Sequence, residues 1–227
     1  ILERRGGNND PMSPHTIDLL GDQLNAGQIK GININSNTNL TSNTTYNIRI
    51  EGQDMAGNKG KSAEITGVTF DDIPPEISIT SPSPDSYINT PTLGLRTNEV
   101  LSEAQVEWIW VEGNPDPAGT HVSKMIGDQL LDGDYPEVNF DPAPALTSGA
   151  WYRVVYTGTD RAGNSSTTEL GNLFFDNEPP VVSVLFPIEN GFTNINEVSY
   201  TLNEPLLMAN SIWTPIDGSG PLSIDMI

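Results

Sequence analysis

The sequence predicts an all-β protein made of tandem β-sandwich domains, and three observations support this prediction. Short segments alternate apolar and polar residues, as half-buried strands do, and turns rich in Gly, Pro, Asn and Asp separate them. A long pattern that begins at Tyr46 occurs again from Tyr152. The sequence has no amphipathic helical stretch of useful length, so an all-β fold has no serious rival.

The repeated pattern keeps an almost constant offset along the chain. His15 and His121 begin two ten-residue segments, HTIDLLGDQL and HVSKMIGDQL, which share five residues at an offset of 121 − 15 = 106. The offset is 204 − 99 = 105 between Glu99 and Glu204, each of which follows an Asn. A period of about 105 residues is the size of one sandwich domain and much longer than one solenoid turn.

This offset divides the chain into three predicted parts. We expect residues 1–72 to be the C-terminal part of one domain, residues 73–177 a complete domain, and residues 178–227 the N-terminal part of a third. The chain is therefore expected to be a segment cut from a longer array of domains.

Composition narrows the classes of partner and chemistry. The chain has 10 Lys and Arg against 30 Asp and Glu, a net charge of −20, which opposes binding to nucleic acid and to anionic membranes and favours cations. No apolar run approaches the ~18 residues that a membrane-spanning helix needs. The absence of Cys excludes disulfides, thiolate metal sites and a cysteine nucleophile.

The strands of the complete domain can be followed in order. Ile77 and Ile79 alternate with polar residues in a first strand, and a second strand with Leu93, Leu95 and Thr97 leads into Asn98-Glu99. Val106, Trp108 and Trp110 indicate a third strand, in which Trp108 is expected to anchor the core. Residues 113–119 are expected to form a loop, and residues 121–131 and 135–140 two short strands.

The best-patterned strand begins at a turn. Leu146 lies six residues before Tyr152, and Leu40 lies six residues before Tyr46. This spacing resembles the tyrosine corner of immunoglobulin and fibronectin type III sandwiches, in which the Tyr hydroxyl bonds back to the turn backbone. We expect Tyr152, Val154 and Tyr156 to face one side of this strand, and the residues between them the other.

Together these residues resemble the bacterial Ig-like repeats of giant surface adhesins and other long secreted proteins. The resemblance rests on the recurring pattern Tyr…Asp-x-Ala-Gly-Asn…Phe-Asp…Pro-Pro. The matching residues are Tyr152, Asp160, Ala162, Gly163, Asn164, Phe175, Asp176, Pro179 and Pro180, and Tyr46, Asp54, Ala56, Gly57, Asn58, Phe70, Asp71, Pro74 and Pro75.

The resemblance implies tandem immunoglobulin-like domains in a non-catalytic stalk or adhesive array at the bacterial cell surface. Its partners would be neighbouring Ig-like repeats and a host-cell, surface or glycan ligand elsewhere in the full protein, without nucleic acid and without membrane insertion in this segment. In several such families calcium stiffens the joints between domains.

The topology of such a sandwich points to calcium independently. The loop between the second and third strands and the loop between the last two strands both lie at the end where the chain enters. Oxygen ligands from these loops and from the linker would therefore meet at one joint, and calcium binds about six to eight oxygens. The candidate ligands at the first joint are Asp71, Asp72, Asn98, Glu99, Asp160 and Asn164. At the second joint, expected to be incomplete, they are Asp176, Asn177, Glu178 and Glu204.

Plainer interpretations stay open for several of these residues. The Asp160 to Asn164 segment is also explained as a hairpin turn that its own Asp caps, and Glu99 and Glu204 as solvated loop carboxylates. His15 and His121 are expected to be partly buried strand residues. Trp108, Trp110 and Trp213 could instead form a sugar-stacking surface.

Catalytic signatures are missing from the sequence. It has no Gly-x-Ser-x-Gly elbow, no His-Glu-x-x-His and no phosphate loop, which favours a non-enzymatic role. The leading prediction is a segment of an extracellular rod of serial domains stiffened by calcium. One alternative is a carbohydrate-binding or accessory module of a secreted hydrolase, and a weaker one is a surface-layer or sheath subunit.

Overall fold

Strands dominate the structure, as the alternating sequence pattern predicts. The computed structural model describes residues 1–32, 39–215 and 222–226. Strands account for 46% of the structure and helices for 4%, so the all-β prediction is confirmed. The described chain divides into two compact units, residues 1–176 and residues 177–227, which are taken in turn.

The first unit begins with a small sheet and a hairpin. Strands β1, β2 and β5 form an antiparallel sheet in the order β1-β2-β5, while β3 and β4 pair only with each other in the described part of the chain. The bounds are β1 (Leu2–Gly7), β2 (Thr44–Ile48), β3 (Glu51–Gln53), β4 (Lys59–Lys61) and β5 (Ile65–Phe70).

The rest of the first unit contains two sheets. The strands are β6 (Ile77–Ser81), β7 (Tyr87–Ile88), β8 (Leu93–Thr97), β9 (Leu101–Gly113), β10 (Thr120–Lys124), β11 (Gly133–Val138), β12 (Ala150–Asp160) and β13 (Ser165–Phe175). One sheet has the order β10-β9-β12-β13-β7 and the other β11-β8-β6. Residues of both sheets form one buried apolar cluster, an arrangement compatible with a β-sandwich.

The core follows the predicted alternation. Along β12 every second residue is buried, and Tyr152, Val154 and Tyr156 are fully enclosed while the residues between them are partly exposed. Trp108 on β9 has 0% of its surface exposed, so its expected place in the core is confirmed. Leu93, Leu95 and Thr97 on β8 are buried as well.

Both predicted tyrosine corners form the expected bond to the turn backbone. The backbone amide of Thr147 donates to the Tyr152 hydroxyl at 2.8 Å, and the amide of Thr41 donates to the Tyr46 hydroxyl at 3.1 Å. Each bond closes a turn of the same length, which ties the start of β12 or β2 to the loop before it.

The prediction of a strand over residues 121–131 is wrong in its second half. Strand β10 ends at Lys124, and the chain then forms a short 3-10 helix, Gly127–Leu130. Gly127 has a φ of +58°, which no extended strand can hold, so the strand must end before it. A matching 3-10 helix, Gly21–Leu24, lies in the first part of the unit.

The second unit is smaller and consists of two strand pairs. Its strands are β14 (Val182–Phe186), β15 (Ser199–Leu202), β16 (Ala209–Trp213) and β17 (Leu222–Met226). Antiparallel pairs form between β14 and β15 and between β16 and β17. Val182 and Val184 lie on β14, and Tyr200 and Leu202 lie on β15.

Candidate metal centre

Three carboxylates from distant parts of the sequence meet in the first unit. Asp71 follows β5, Glu99 lies just after β8, and Asp160 is the last residue of β12. One carboxylate oxygen from each lies within 4.8 Å of the other two. Asp71 and Glu99 are half-buried and Asp160 is only 1% exposed, so solvent screens the three charges incompletely.

Hydrogen bonds of its own turn hold Asp160 in place. Its Oδ1 accepts from the backbone amides of Ala162, Gly163 and Asn164 at 2.7, 2.7 and 2.9 Å. Its Oδ2 accepts from Asn164 Nδ2 at 2.8 Å. Burial raises the pKa of Asp160, but these hydrogen bonds outweigh burial and leave the pKa below its ordinary value. Asp160 is therefore ionised at neutral pH.

The turn also reaches the linker that precedes the complete predicted domain. Asn164 Nδ2 donates to the backbone carbonyl of Asp71 at 3.1 Å. The Asp71 carboxylate in turn accepts from the Ser42 hydroxyl at 2.7 Å and from the Ile73 amide at 3.2 Å. The linker is thus held on one side by Ser42, in the turn before β2, and on the other by the Asp160 turn.

Glu99 has the least favourable electrostatic position of the three. Its partial burial and then the negative charges of Asp71 and Asp160 raise its pKa. This is the effect expected of a carboxylate that faces two others without a compensating cation. A bound cation would remove the repulsion and favour ionised Glu99.

A cleft of about 320 Å³ opens beside the cluster. It is lined by Asp71, Glu99, Val100, Arg161, Ala162, Asn43 and Thr69. Arg161 is the single Lys or Arg among these lining residues. The remaining oxygen-bearing side chains are ligand types that suit a hard divalent cation.

Two other predicted ligands of the first joint, Asn98 and Asp72, form hydrogen bonds with neighbouring residues. Asn98 Oδ1 accepts from the backbone amide of Glu76 at 2.9 Å, and the Asn98 amide donates back to the Glu76 carbonyl at 3.2 Å. Asn98 therefore ties two strand ends together. Asp72 is exposed, and its amide donates to the Ser42 hydroxyl at 3.0 Å.

The second predicted group of ligands spans both units. Asp176 ends the first unit, where its Oδ1 accepts from the Ser148 hydroxyl at 2.8 Å, as Asp71 does from Ser42. Asn177, Glu178 and Glu204 belong to the second unit, and this group remains a prediction. Within the second unit, Asn203 Oδ1 accepts from the Val181 amide at 2.7 Å, in the manner of Asn98.

The turn at Asp54 helps to distinguish the two roles predicted for the Asp-x-Ala-Gly-Asn segment, a hairpin turn and a source of calcium ligands. Asp54 is exposed, yet its Oδ1 accepts from the amides of Ala56 and Asn58 at 2.9 and 2.8 Å, and its Oδ2 accepts from Asn58 Nδ2 at 2.8 Å. In the part of the chain that the structure describes, Asp54 belongs to no group of three acidic side chains, so the turn forms without such a group. What distinguishes Asp160 is its meeting with Asp71 and Glu99.

The sequence reasoning missed a second set of buried polar contacts. Asp116 Oδ2 accepts from the Tyr152 hydroxyl at 2.5 Å and lies 2.7 Å from His121 Nε2. The same contacts link Asp10 to Tyr46 and His15, at 2.5 and 2.6 Å. His121 on β10 is partly buried as expected, whereas His15 is buried and pairs with Leu2 only in an isolated bridge outside the named strands. The sequence contains a signal for these contacts, because the Asp, the His and the Tyr each recur at an offset of 106 residues.

These contacts determine the ionisation of Asp116. Burial raises its pKa, but the hydrogen bonds from Tyr152, His121 and the Ala118 amide outweigh burial and hold the pKa at about 2. The set therefore contains an ionised, fully bonded carboxylate, which is typical of a structural link between a loop and a strand.

No protein-family model, curated protein or solved structure matches the chain. Among the described residues, no helix has the length and apolar character needed to cross a membrane.

Proposed function

We propose that the chain is a non-catalytic segment of a long extracellular bacterial surface protein, a rod of tandem Ig-like domains of about 105 residues. In this proposal residues 1–72, 73–177 and 178–227 belong to three successive domains, and calcium binds at the joint between the first two. Support comes from the recurring sequence pattern, from the all-β fold, and from the matching contacts of the Tyr46 and Tyr152 corners.

The observation that carries the proposal is the meeting of Asp71, Glu99 and Asp160. Asp71 lies in the linker, whereas Glu99 lies in a loop and Asp160 at the end of β12, both in the next predicted domain. A cation bound to all three would join the linker to that domain and would relieve the repulsion that raises the pKa of Glu99. Carboxylate and carbonyl oxygens are the ligands that calcium prefers.

A carbohydrate-binding or accessory module of a secreted hydrolase is the second candidate. A sugar-stacking surface of tryptophans would support it, but Trp108 lies in the core. The rod is favoured because the Asp-x-Ala-Gly-Asn and Phe-Asp segments recur along the chain, and because the Asp160 turn contacts the linker through Asn164.

Thermal unfolding with and without calcium tests the cation site. A ligand at 100 times its dissociation constant adds about 2.7 kcal/mol to the free energy of unfolding. We expect calcium to raise the melting temperature by several degrees and a chelator to reverse the change. In Glu99→Gln the calcium effect should be lost, although the calcium-free variant should be at least as stable as wild type because one repelling charge is gone.

The control variant is Asp54→Asn, which alters the matching turn away from the cluster and should keep the full calcium effect. A melting temperature indifferent to chelator in the wild-type protein would contradict the site. An equal loss of the calcium effect in both variants would show that any calcium acts elsewhere on the acidic surface.

A further inference from the structure

Three aromatic rings form an exposed cluster on the five-stranded sheet. The ring centroids of Tyr87 and Phe174 are 5.2 Å apart, those of Trp151 and Phe174 5.1 Å, and those of Tyr87 and Trp151 6.0 Å. Tyr87 on β7 pairs with Phe174 on β13, which pairs with Trp151 on β12. Their chain neighbours Tyr152, Leu173 and Phe175 are buried in the core, so the cluster lies on the opposite face of the sheet.

The cluster holds one ring in an accessible position. Tyr87 is 76% exposed, while Trp151 and Phe174 are half-buried and contact it at interplanar angles of 61° and 64°. Such edge contacts are favourable between aromatic rings and restrict the orientation of Tyr87. The exposed ring is therefore supported by its neighbours before any ligand arrives.

The sheet itself does not require these rings. Thr45 and Thr69 pair in β2 and β5 as Trp151 and Phe174 pair in β12 and β13, and their hydroxyls form a hydrogen bond of 3.1 Å. The same pairing position thus accepts two small polar residues elsewhere in this chain. Strand pairing alone does not explain a Trp and a Phe on an outer face.

A polar cleft of about 440 Å³ adjoins Tyr87. Its lining combines hydroxyl, amide and carboxylate groups with this ring, and consists of Ser81, Pro82, Tyr87, Ile88, Asn89, Thr90, Thr92 and Asp176. The volume lies within the range of small-ligand sites. No Lys or Arg is among these described residues, so the cleft has no positive side chain for an anionic group.

We propose that Tyr87 and this cleft bind a neutral saccharide. The apolar C–H face of a sugar ring would stack on Tyr87, and its hydroxyls would exchange hydrogen bonds with the Asn and Thr side chains beside it. Negative protein charge disfavours acidic sugars. A helical or apolar peptide is disfavoured because one exposed ring beside polar groups offers no continuous apolar groove. The site is separate from the acidic cluster, so the proposal does not depend on calcium.

Saturation-transfer NMR with neutral sugars tests the proposal. The probes are glucose, galactose, mannose and N-acetylglucosamine, with their β-linked tetramers, at up to about 10 mM, a concentration at which dissociation constants in the millimolar range are detected. At least one probe should receive saturation and perturb Trp fluorescence. Tyr87→Ala should weaken that binding by about tenfold or more, as loss of an aromatic contact does.

Two further variants make the result specific. The double variant Trp151→Thr and Phe174→Thr copies the pair at Thr45 and Thr69, so it should fold and should also lose binding. Val122→Ala changes an exposed residue of β10 outside the cleft and should bind as wild type. The proposal is overturned if no probe binds, if Tyr87→Ala binds equally well, or if the variants abolish self-association of the chain without any effect on sugars.

Discussion

Two tyrosines on the same strand have opposite hydrogen-bonding environments. The Tyr152 hydroxyl accepts from the Thr147 amide and donates to Asp116, whereas the Tyr156 hydroxyl is buried with no hydrogen-bond partner among the described residues. Burial raises the pKa of both to about 12, and Asp116 contributes to the rise for Tyr152. Both side chains are therefore neutral across the physiological range, and only one of the two hydroxyls stabilises the fold.

The two Tyr→Phe variants should consequently differ. Tyr152→Phe leaves Asp116 with one donor fewer in a buried place and should cost about 1 to 3 kcal/mol of unfolding free energy. Tyr156→Phe removes a buried hydroxyl that has no partner, so stability should stay the same or rise. Urea unfolding of both variants measures the difference. Equal losses would show that the Tyr156 hydroxyl is bonded in solution.

At the scale of elements, the acidic cluster depends on where three segments end. The Asp54 and Asp160 turns have the same Asp-x-Ala-Gly-Asn pattern and nearly the same hydrogen bonds, so the sequence predicts both turns equally well. Only packing decides that Asp160 is buried beside the linker and Asp54 is exposed. The sandwich topology expected from the sequence did place the linker, the Glu99 loop and the Asp160 turn together. It could not show that Asn98 is bonded to the Glu76 backbone.

The raised pKa of Glu99 gives the joint a pH dependence with a definite sign. A carboxyl with a raised pKa in the folded state binds its proton more tightly there than in the unfolded chain. Its contribution to stability is thus present below the ordinary pKa of 4.5 and is lost as the pH rises through the raised value. Asp160 and Asp116 have lowered pKa values in the folded state, so the stability that they contribute at neutral pH is lost as the pH falls.

The comparison of wild type with Glu99→Gln isolates this contribution. In the presence of chelator, the melting temperature of wild type should fall relative to the variant as the pH rises from about 4 to 7. Calcium should reverse this trend, because it binds ionised Glu99 and stabilises the wild type more as the pH rises, whereas the variant does not respond to calcium. If the melting temperatures of the two proteins changed equally with pH in chelator, the repulsion of Glu99 by Asp71 and Asp160 would be contradicted.

For the whole molecule, the sequence predicted more of the architecture than of the contacts. Period-2 alternation sufficed for the buried face of β12, since each strand residue is forced to one side. The Asp–His–Tyr contacts could not be predicted from alternation, because they join a loop, a strand and a corner. The 3-10 helix at Gly127–Leu130 was missed because one positive φ ends a strand that the apolar pattern would continue.

The central claim is that calcium fixes the orientation of residues 1–72 relative to residues 73–177. The chain has no Cys, so cysteines introduced at the exposed Met55 and Val122 would label it at two sites only. Single-molecule energy transfer between these labels reports the distribution of distances. We expect calcium to narrow that distribution in the wild-type sequence and in Asp54→Asn, and to leave it broad in Glu99→Gln. The same distribution with calcium and with chelator would contradict a calcium-stiffened joint.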